Sequence, residues 1–254
     1  MKAHWKSPDD SIGDQAEAGV TGRGRLAELV LDARLAWVRA RDALRRPRAQ
    51  PMRDRFVRIY RDNAWGDPES VSGPGSAIQP TALFRDQIPL LLRDVGARSL
   101  LDAPCGDFNW MRMLDLGATR YVGVDVVPEL IAANQTRHGD RRRRFLCLDI
   151  THDRLPRVDV IFCRDCLVHL SFADIAAALG NFKRSGSAFL IATTFVERSR
   201  NDEIATGGWR PLNLERPPFV FPPPLRLIDE GCTEGGGRYR DKHLGLWRLK
   251  DLAA

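Results

Sequence analysis

The chain has 254 residues, 43% of them hydrophobic, with 39 Lys+Arg against 33 Asp+Glu and a net charge of +6. That composition excludes wholesale disorder and allows one large domain or two small ones. The basic surplus is local: residues 1–61 hold 14 basic and 8 acidic side chains, whereas residues 62–254 hold 25 of each.

No apolar run approaches the roughly 20 residues of a spanning helix. Residues 1–15 are polar and lack the apolar stretch of a signal peptide, which predicts a cytoplasmic protein. The cysteines Cys105, Cys147, Cys163, Cys166 and Cys232 are odd in number and do not suggest a disulfide framework. Cys163-Arg-Asp-Cys166 has no second Cys/His pair to complete a zinc site, so no metal is expected.

In chain order, residues 1–20 read as a loose tail. Over residues 26–44 the apolar positions Leu26, Leu29, Val30, Ala33, Trp37, Ala40 and Leu44 recur at three- and four-residue steps, the signature of an amphipathic helix. Its other face carries Arg34, Arg39 and Arg41; Arg45, Arg46 and Arg48 follow, and Pro47 stops it. Residues 23–48 therefore offer a basic surface for an anionic membrane or an acidic partner. Favourable interaction with the helix macrodipole explains part of the same pattern. Residues 1–61 are thus expected to form a basic extension and residues 62–254 the main domain.

The Gly-, Pro- and Ser-rich stretch 62–80 reads as a loop. Thr81 caps a helix expected to run to residue 95, with Phe84, Ile88, Leu91 and Leu92 inward. Apolar strands follow over 99–103, 121–126, 145–148, 158–163 and 188–193. Helices fall between them: Pro128 suits the first turn of one running to residue 138, and Ser171 with Asp174 resembles a capping box opening another to residue 182. Such alternation implies an α/β domain with a mostly parallel, doubly wound sheet, whose active residues gather at the carboxyl ends of the strands. Segment 197–224, rich in Pro and Gly, is long for a structureless loop and reads as a lid. Residues 226–228 and 244–249 supply two last strands, antiparallel across the turn Gly235-Gly236-Gly237.

The first three strands each end in Asp. Asp102 is followed by a tight turn at Gly106 and a second carboxylate, Asp107. A dinucleotide site would show GxGxxG here. One glycine among carboxylates instead suits a ligand bearing an ammonium or sulfonium. Asp125, 19 residues beyond Gly106, is placed for ribose hydroxyls. Asp149, before Ile150, suits an exocyclic amine and a backbone contact with a base. A single such Asp is as readily a turn residue, but three at successive strand ends are not.

Together the segments LLDAPCGDFNWM, YVGVDVVPELI, FLCLDIT and VDVIFCRDCLVHLS resemble the class I S-adenosylmethionine-dependent methyltransferases, and most closely a bacterial subgroup with a D-x-P-C-G-D first motif. The resemblance spans residues 83–249. It implies a seven-stranded sheet with an antiparallel last strand, and S-adenosylmethionine as cofactor. By that likeness Asp102 and Gly106 lie by the methionine moiety, Asp125 holds the ribose and Asp149 contacts the adenine. Pro104, Asp107, Trp110, Ile150 and Arg164 complete the expected cofactor set. Pro104 and Phe108 replace two of the family's glycines, so Phe108 and Trp110 are expected to reshape the pocket wall.

After the fourth strand come Arg164, Asp165 and His169. A helical stretch here would put Asp165 and His169 on one face, where the carboxylate orients the ring and raises its pKa. His169 and Asp165 are the candidate bases, and packing against the sheet is the bland alternative for His169. Arg164 is a candidate anion binder for substrate, or a partner for Asp165. Trp209, Arg210 and Asn213 are candidate substrate residues, with Asn201 and Asp202 beside them. Trp65-Gly66 and residues 72–76 are placed to close the pocket opposite. The run Arg141 to Arg144 reads as a solvated turn, with no nucleic-acid motif around it. The expected activity is methyl transfer to an O or N atom of a polar small molecule or glycan. The competing expectations are a nicotinamide-dependent oxidoreductase and a non-catalytic module anchored by the basic helix.

Overall fold

In this computed structural model residues 50–252 are described. The helix expected over 26–44 and the basic stretch 23–48 lie outside the described residues. The first four strands are β1 (Ser99–Asp102), β2 (Arg120–Asp125), β3 (Arg143–Cys147) and β4 (Val160–Cys163). β5 (Phe189–Phe195), β6 (Arg226–Asp229) and β7 (Lys242–Arg248) follow, and the sheet order is β3-β2-β1-β4-β5-β7-β6. β1 to β5 pair in parallel, and β7 is antiparallel to both β5 and β6. Every residue of β1 and of β4 is buried, as expected of central strands covered on both faces.

The helices are α1 (Gln50–Arg61), α2 (Ala82–Arg85), α3 (Gln87–Asp94), α4 (Pro128–His138) and α5 (Phe172–Arg184). The single helix expected over 81–95 is thus two, α2 and α3, and its inward residues Phe84, Ile88, Leu91 and Leu92 pack with Leu100, Phe162 and Leu246 of the sheet. Pro128 opens α4 at its first turn. Ser171 caps α5 by accepting the Asp174 N–H at 3.1 Å. The return arm of the capping box is relayed: Ser171 N–H donates to Thr206 Oγ1 at 2.9 Å, and that hydroxyl donates to the Asp174 carboxylate.

Two consequences of the topology shape the site. Because β7 is antiparallel, its first residue, Lys242, pairs with Phe195, the last of β5. Asp229, the last residue of β6, pairs with His243. The end of β6 and the start of β7 therefore join the carboxyl end of the parallel strands. Helix α1 also belongs here. It falls inside residues 1–61, yet the compact unit that holds the sheet begins at Arg45. The guanidinium of Arg61 pairs with Glu129 of α4, and Arg55 donates to the Thr206 carbonyl.

Segment 197–224 contains no helix or strand. Asn201 donates to the carbonyls of Asn213 (2.9 Å) and Pro217 (2.8 Å), and Asn213 donates to that of Arg198 (2.8 Å). Leu212 and Leu214 are fully buried. The segment is a folded strap, pinned to the turn after β4 by Gly207 N–H to His169 O at 2.7 Å and Arg210 N–H to Val168 O at 3.1 Å.

Candidate active site

A cleft opens at the carboxyl ends of β1, β2 and β4, with Asp102, Pro104, Gly106, Asp107, Trp110, Asp125, Asp149, Ile150 and Arg164 in its wall. Met52, Phe56 and Tyr60 of α1 close one side, and Val126, Val127, Leu130 and Leu148 give it an apolar lining. Gly106 has φ +51°, and a Cβ there would stand 2.2 Å from Ser72 Oγ, so only glycine fits.

The carboxylates are held in different ways. Asp102 Oδ2 accepts from the Tyr121 hydroxyl at 2.6 Å, and burial pushes its pKa up to about 8. Asp125 accepts the N–H groups of Val127 (3.0 Å) and Gly106 (3.3 Å), and burial still raises it to about 6. Asp149 Oδ1 accepts from the Thr151 hydroxyl (2.6 Å) and N–H (2.8 Å), while its buried Oδ2 has no hydrogen bond. Asp107 is engaged within the protein. It accepts from Ser70 Oγ (2.9 Å), Val71 N–H (3.1 Å), Ser72 Oγ (3.3 Å) and Asn109 N–H (3.2 Å), so it anchors the 70–72 loop over the cleft.

Phe108 stands apart from the expectation for it. It adopts φ +60°, a glycine-like conformation, but its ring is buried against Tyr121, Phe145 and His138 and does not line the cleft. Trp110 does reach the cleft, edge-on to Phe84.

A second chamber adjoins the cleft and shares Trp65, Ser72, Asp165 and His169 with it. Its other walls include Gly75, Phe195, Gly207, Gly208, Trp209, Glu234, Tyr239 and Lys242. Asp165 and His169 meet here, but not on an α-helix. Asp165 has φ +49° and precedes a 3-10 turn, Leu167–His169. The ring of His169 is oriented by the strap and not by Asp165: Nδ1 lies 2.8 Å from Gly208 O. The Trp65 ring packs on it at 5.1 Å. Burial lowers the pKa of His169, against the expected rise.

Beneath the chamber lies a charged cluster of which sequence reasoning finds one pair, Arg164 and Asp165, and misses Glu230 and Lys242. Arg164 donates to Glu230 Oε2 through Nε (2.9 Å) and Nη2 (2.6 Å), and its Nη1 stands 3.2 Å from Asp165 Oδ2. Lys242 Nζ binds Asp165 Oδ2 at 2.7 Å and approaches Glu230 Oε2 at 3.5 Å. Arg164 and Lys242 overcome the burial penalty on Asp165 and hold its pKa down to about 2. The guanidinium of Arg164 is fully engaged and neutralised, which fits the carboxylate-partner reading better than anion binding. Arg210 and Asn213 line neither chamber. Arg210 donates to Leu167 O (2.9 Å) and Leu170 O (2.8 Å), stabilising the turn that carries His169. Trp209 does line the second chamber.

Residues 101–185, from β1 through α5, match a family model described as a methyltransferase domain. Over those residues the chain is similar to methyltransferase domains. A Burkholderia thailandensis 1,6-didemethyltoxoflavin-N1-methyltransferase is similar in fold. Its TM-score is 0.53 at 19% identity, covering 80% of this chain and 92% of that one. Weaker likenesses include the bacterial CtHen1-CN methyltransferase domain (TM-score 0.40, 16% identity, 45% of this chain and 66% of that one). Another is the sugar N-methyltransferase KedS8 of a Streptoalloteichus species (0.38, 22%, 44% and 47%). The chain thus spans about half to two thirds of the length of these two. No curated protein is significantly similar to it in sequence.

The residues of the cleft fit S-adenosylmethionine, the cofactor that the resemblance in the sequence implies. A buried carboxylate oxygen at Asp149 without a hydrogen bond is a ready acceptor for an amine, and an ammonium would favour the ionised form of Asp102 and Asp125, whose pKa values burial raises. Among the described residues no cluster of His, Cys, Asp and Glu suits a metal ion, and no helix is long and apolar enough to cross a membrane.

Proposed function

We propose that the chain methylates an oxygen or nitrogen of a polar small molecule or glycan held in the second chamber, with His169 as general base. The observation that carries this reading is the shared wall: His169, Asp165, Trp65 and Ser72 border both the donor cleft and the adjoining chamber. In this reading Asp102 and Gly106 hold the methionine moiety, Asp125 the ribose hydroxyls and Asp149 the adenine amine. Val126, Val127, Leu148 and Ile150 enclose the base.

S-adenosylmethionine, when bound, supplies an electrophilic methyl carbon on a good leaving group. The protein then has mainly to align the nucleophile and remove its proton. A carbonyl only accepts, so the contact with Gly208 O places the proton of neutral His169 on Nδ1 and leaves the Nε2 lone pair free. Burial keeps that ring neutral at physiological pH. Asp165 is a poor base, being held ionised by Arg164 and Lys242. Its charge favours the imidazolium that forms on proton transfer.

Calorimetry with S-adenosylhomocysteine tests the cofactor roles: wild type binds, and Asp125→Ala binds at least about tenfold more weakly. Incubation of cell extract with methyl-labelled cofactor then identifies the acceptor. Absence of binding by wild type, or unchanged binding by Asp125→Ala, would sink the reading.

A further inference from the structure

The second chamber carries a charge pattern that narrows the acceptor, on the reading that the chamber is the acceptor site. Three rings form one side: Trp209 and Tyr239 meet edge to face at 4.8 Å, and Phe195 lies 6.2 and 6.1 Å from them. Trp65 faces in beside His169. The cations nearby are already matched. Lys242 is bound by Asp165 and Glu230, Arg164 by the same two carboxylates, and Arg198, which lies over Tyr239 at 5.9 Å, by Asp241 at 2.8 Å. Arg164, Lys242, Asp165 and Glu230 sum to zero.

Glu234 breaks the balance. It lines the chamber, and among the described residues its carboxylate has no hydrogen bond or ion pair. A Cβ on Gly75 would stand 3.2 Å from Glu234 Oε1, 3.3 Å from Asp165 Oδ2 and 3.7 Å from Lys242 Nζ, so two carboxylates and one ammonium, itself bound by Asp165 and Glu230, border the same small volume under the 74–76 turn. An aromatic wall with one uncompensated carboxylate attracts a cation by ring quadrupole and by charge together. It gives a neutral hydroxyl no comparable attraction.

We propose that the acceptor is an amine, seated as an ammonium between Glu234 and the Trp209–Tyr239 rings and deprotonated by His169 before methylation. The ammonium gives its proton to Nε2 of His169. The freed nitrogen pair forms the new N–C bond, and the electrons of the broken C–S bond remain on the donor sulfur as a neutral thioether.

The test uses the full chain saturated with S-adenosylhomocysteine, with benzylamine and benzyl alcohol as matched probes followed by ligand-observed NMR and tryptophan fluorescence. Benzylamine is expected to bind about tenfold more tightly than the alcohol. Glu234→Gln should reduce the preference to about twofold or less while leaving S-adenosylhomocysteine affinity unchanged. Equal binding of the two probes, binding of neither, or a preference that survives Glu234→Gln overturns the inference. Cofactor affinity is measured on the same samples. Its absence overturns the methyltransferase site itself, whereas intact affinity without an amine preference overturns only the choice of acceptor.

Discussion

His169 Nδ1 and the carbonyl oxygen of Gly208 stand 2.8 Å apart, a hydrogen bond that ties the ring between the two chambers to strap 197–224. The bond fixes one tautomer, and burial holds the ring below its ordinary pKa of about 6.5. At saturating S-adenosylmethionine, activity should therefore be constant through neutrality and fall only as pH drops below 6.5, where the ring gains a proton. His169→Gln should lower kcat about 100-fold and abolish that acid limb. A pH profile of kcat/KM checks both. An unchanged rate, or a limb centred above 6.5, would remove His169 from the base role.

The carboxyls of Asp102 and Asp125 give the ligand-free protein an unusual pH dependence. Both titrate near 4 in an unfolded chain, and burial raises them to about 8 and about 6. Between those values the folded state keeps protons that the unfolded state has released. Their contribution to stability is thus complete below about pH 4 and is lost as pH rises through 6 and then 8. Tm should fall by about 5 °C or more from pH 5.5 to 8.5, and the slope should lessen in Asp102→Asn. S-adenosylhomocysteine carries an ammonium that prefers ionised Asp102, so its affinity should rise over the same interval. Calorimetry in buffers of different ionisation enthalpy should register proton release on binding. Proton uptake, or an affinity that falls over that range, would contradict the placement of Asp102.

The cluster of Arg164, Glu230, Lys242 and Asp165 is electrically neutral and buried, so removing one member leaves an unmatched charge. Glu230→Ala should cost about 3 kcal/mol in denaturant unfolding. Arg164→Met with Glu230→Leu leaves Lys242 and Asp165 as an intact pair 2.7 Å apart. The double variant should therefore recover at least half of the loss. A double variant less stable than Glu230→Ala would mean that the cluster contributes by packing and geometry more than by charge balance.

The sheet was legible because each parallel strand is a short apolar run, and three of the carboxylates at its edge stand in sequence just where those runs stop. Asp102, Asp125 and Asp149 needed no tertiary information. Glu230 and Lys242 did: they reach the site only because β7 turns back against β5, and nothing local to Lys242 marks it as facing Asp165. Phe108 looks like a pocket residue because it follows the turn, but its left-handed backbone sends the ring into the core. Asp107, Arg210 and Asn213 have the side chains of ligand-binding residues, yet backbone groups of nearby loops, and for Asp107 the hydroxyls of Ser70 and Ser72 as well, engage them. Helix α1 does carry a signal, since Met52, Phe56 and Tyr60 recur every four residues. Five arginines between residues 48 and 61 make the stretch read as more of the basic extension.

That helix separates two truncations. The basic surplus of residues 1–61 divides between a stretch up to Arg48 and α1, whose Met52, Phe56 and Tyr60 line the donor cleft. Deleting residues 1–48 should leave S-adenosylhomocysteine affinity within about twofold, because every described wall residue of the cleft is retained. It should weaken any pelleting of the protein with anionic vesicles, since Arg34, Arg39, Arg41 and their neighbours go with it. Deleting residues 1–61 removes three apolar walls of the cleft and the Arg61–Glu129 pair, and should weaken the same affinity about tenfold or more. Both chains are compared by calorimetry and by circular dichroism, the latter confirming that the sheet remains folded. If the shorter deletion abolished cofactor binding in a folded protein, the basic segment would belong to the donor site. If the longer one left binding intact, α1 would be a bystander beside the cleft.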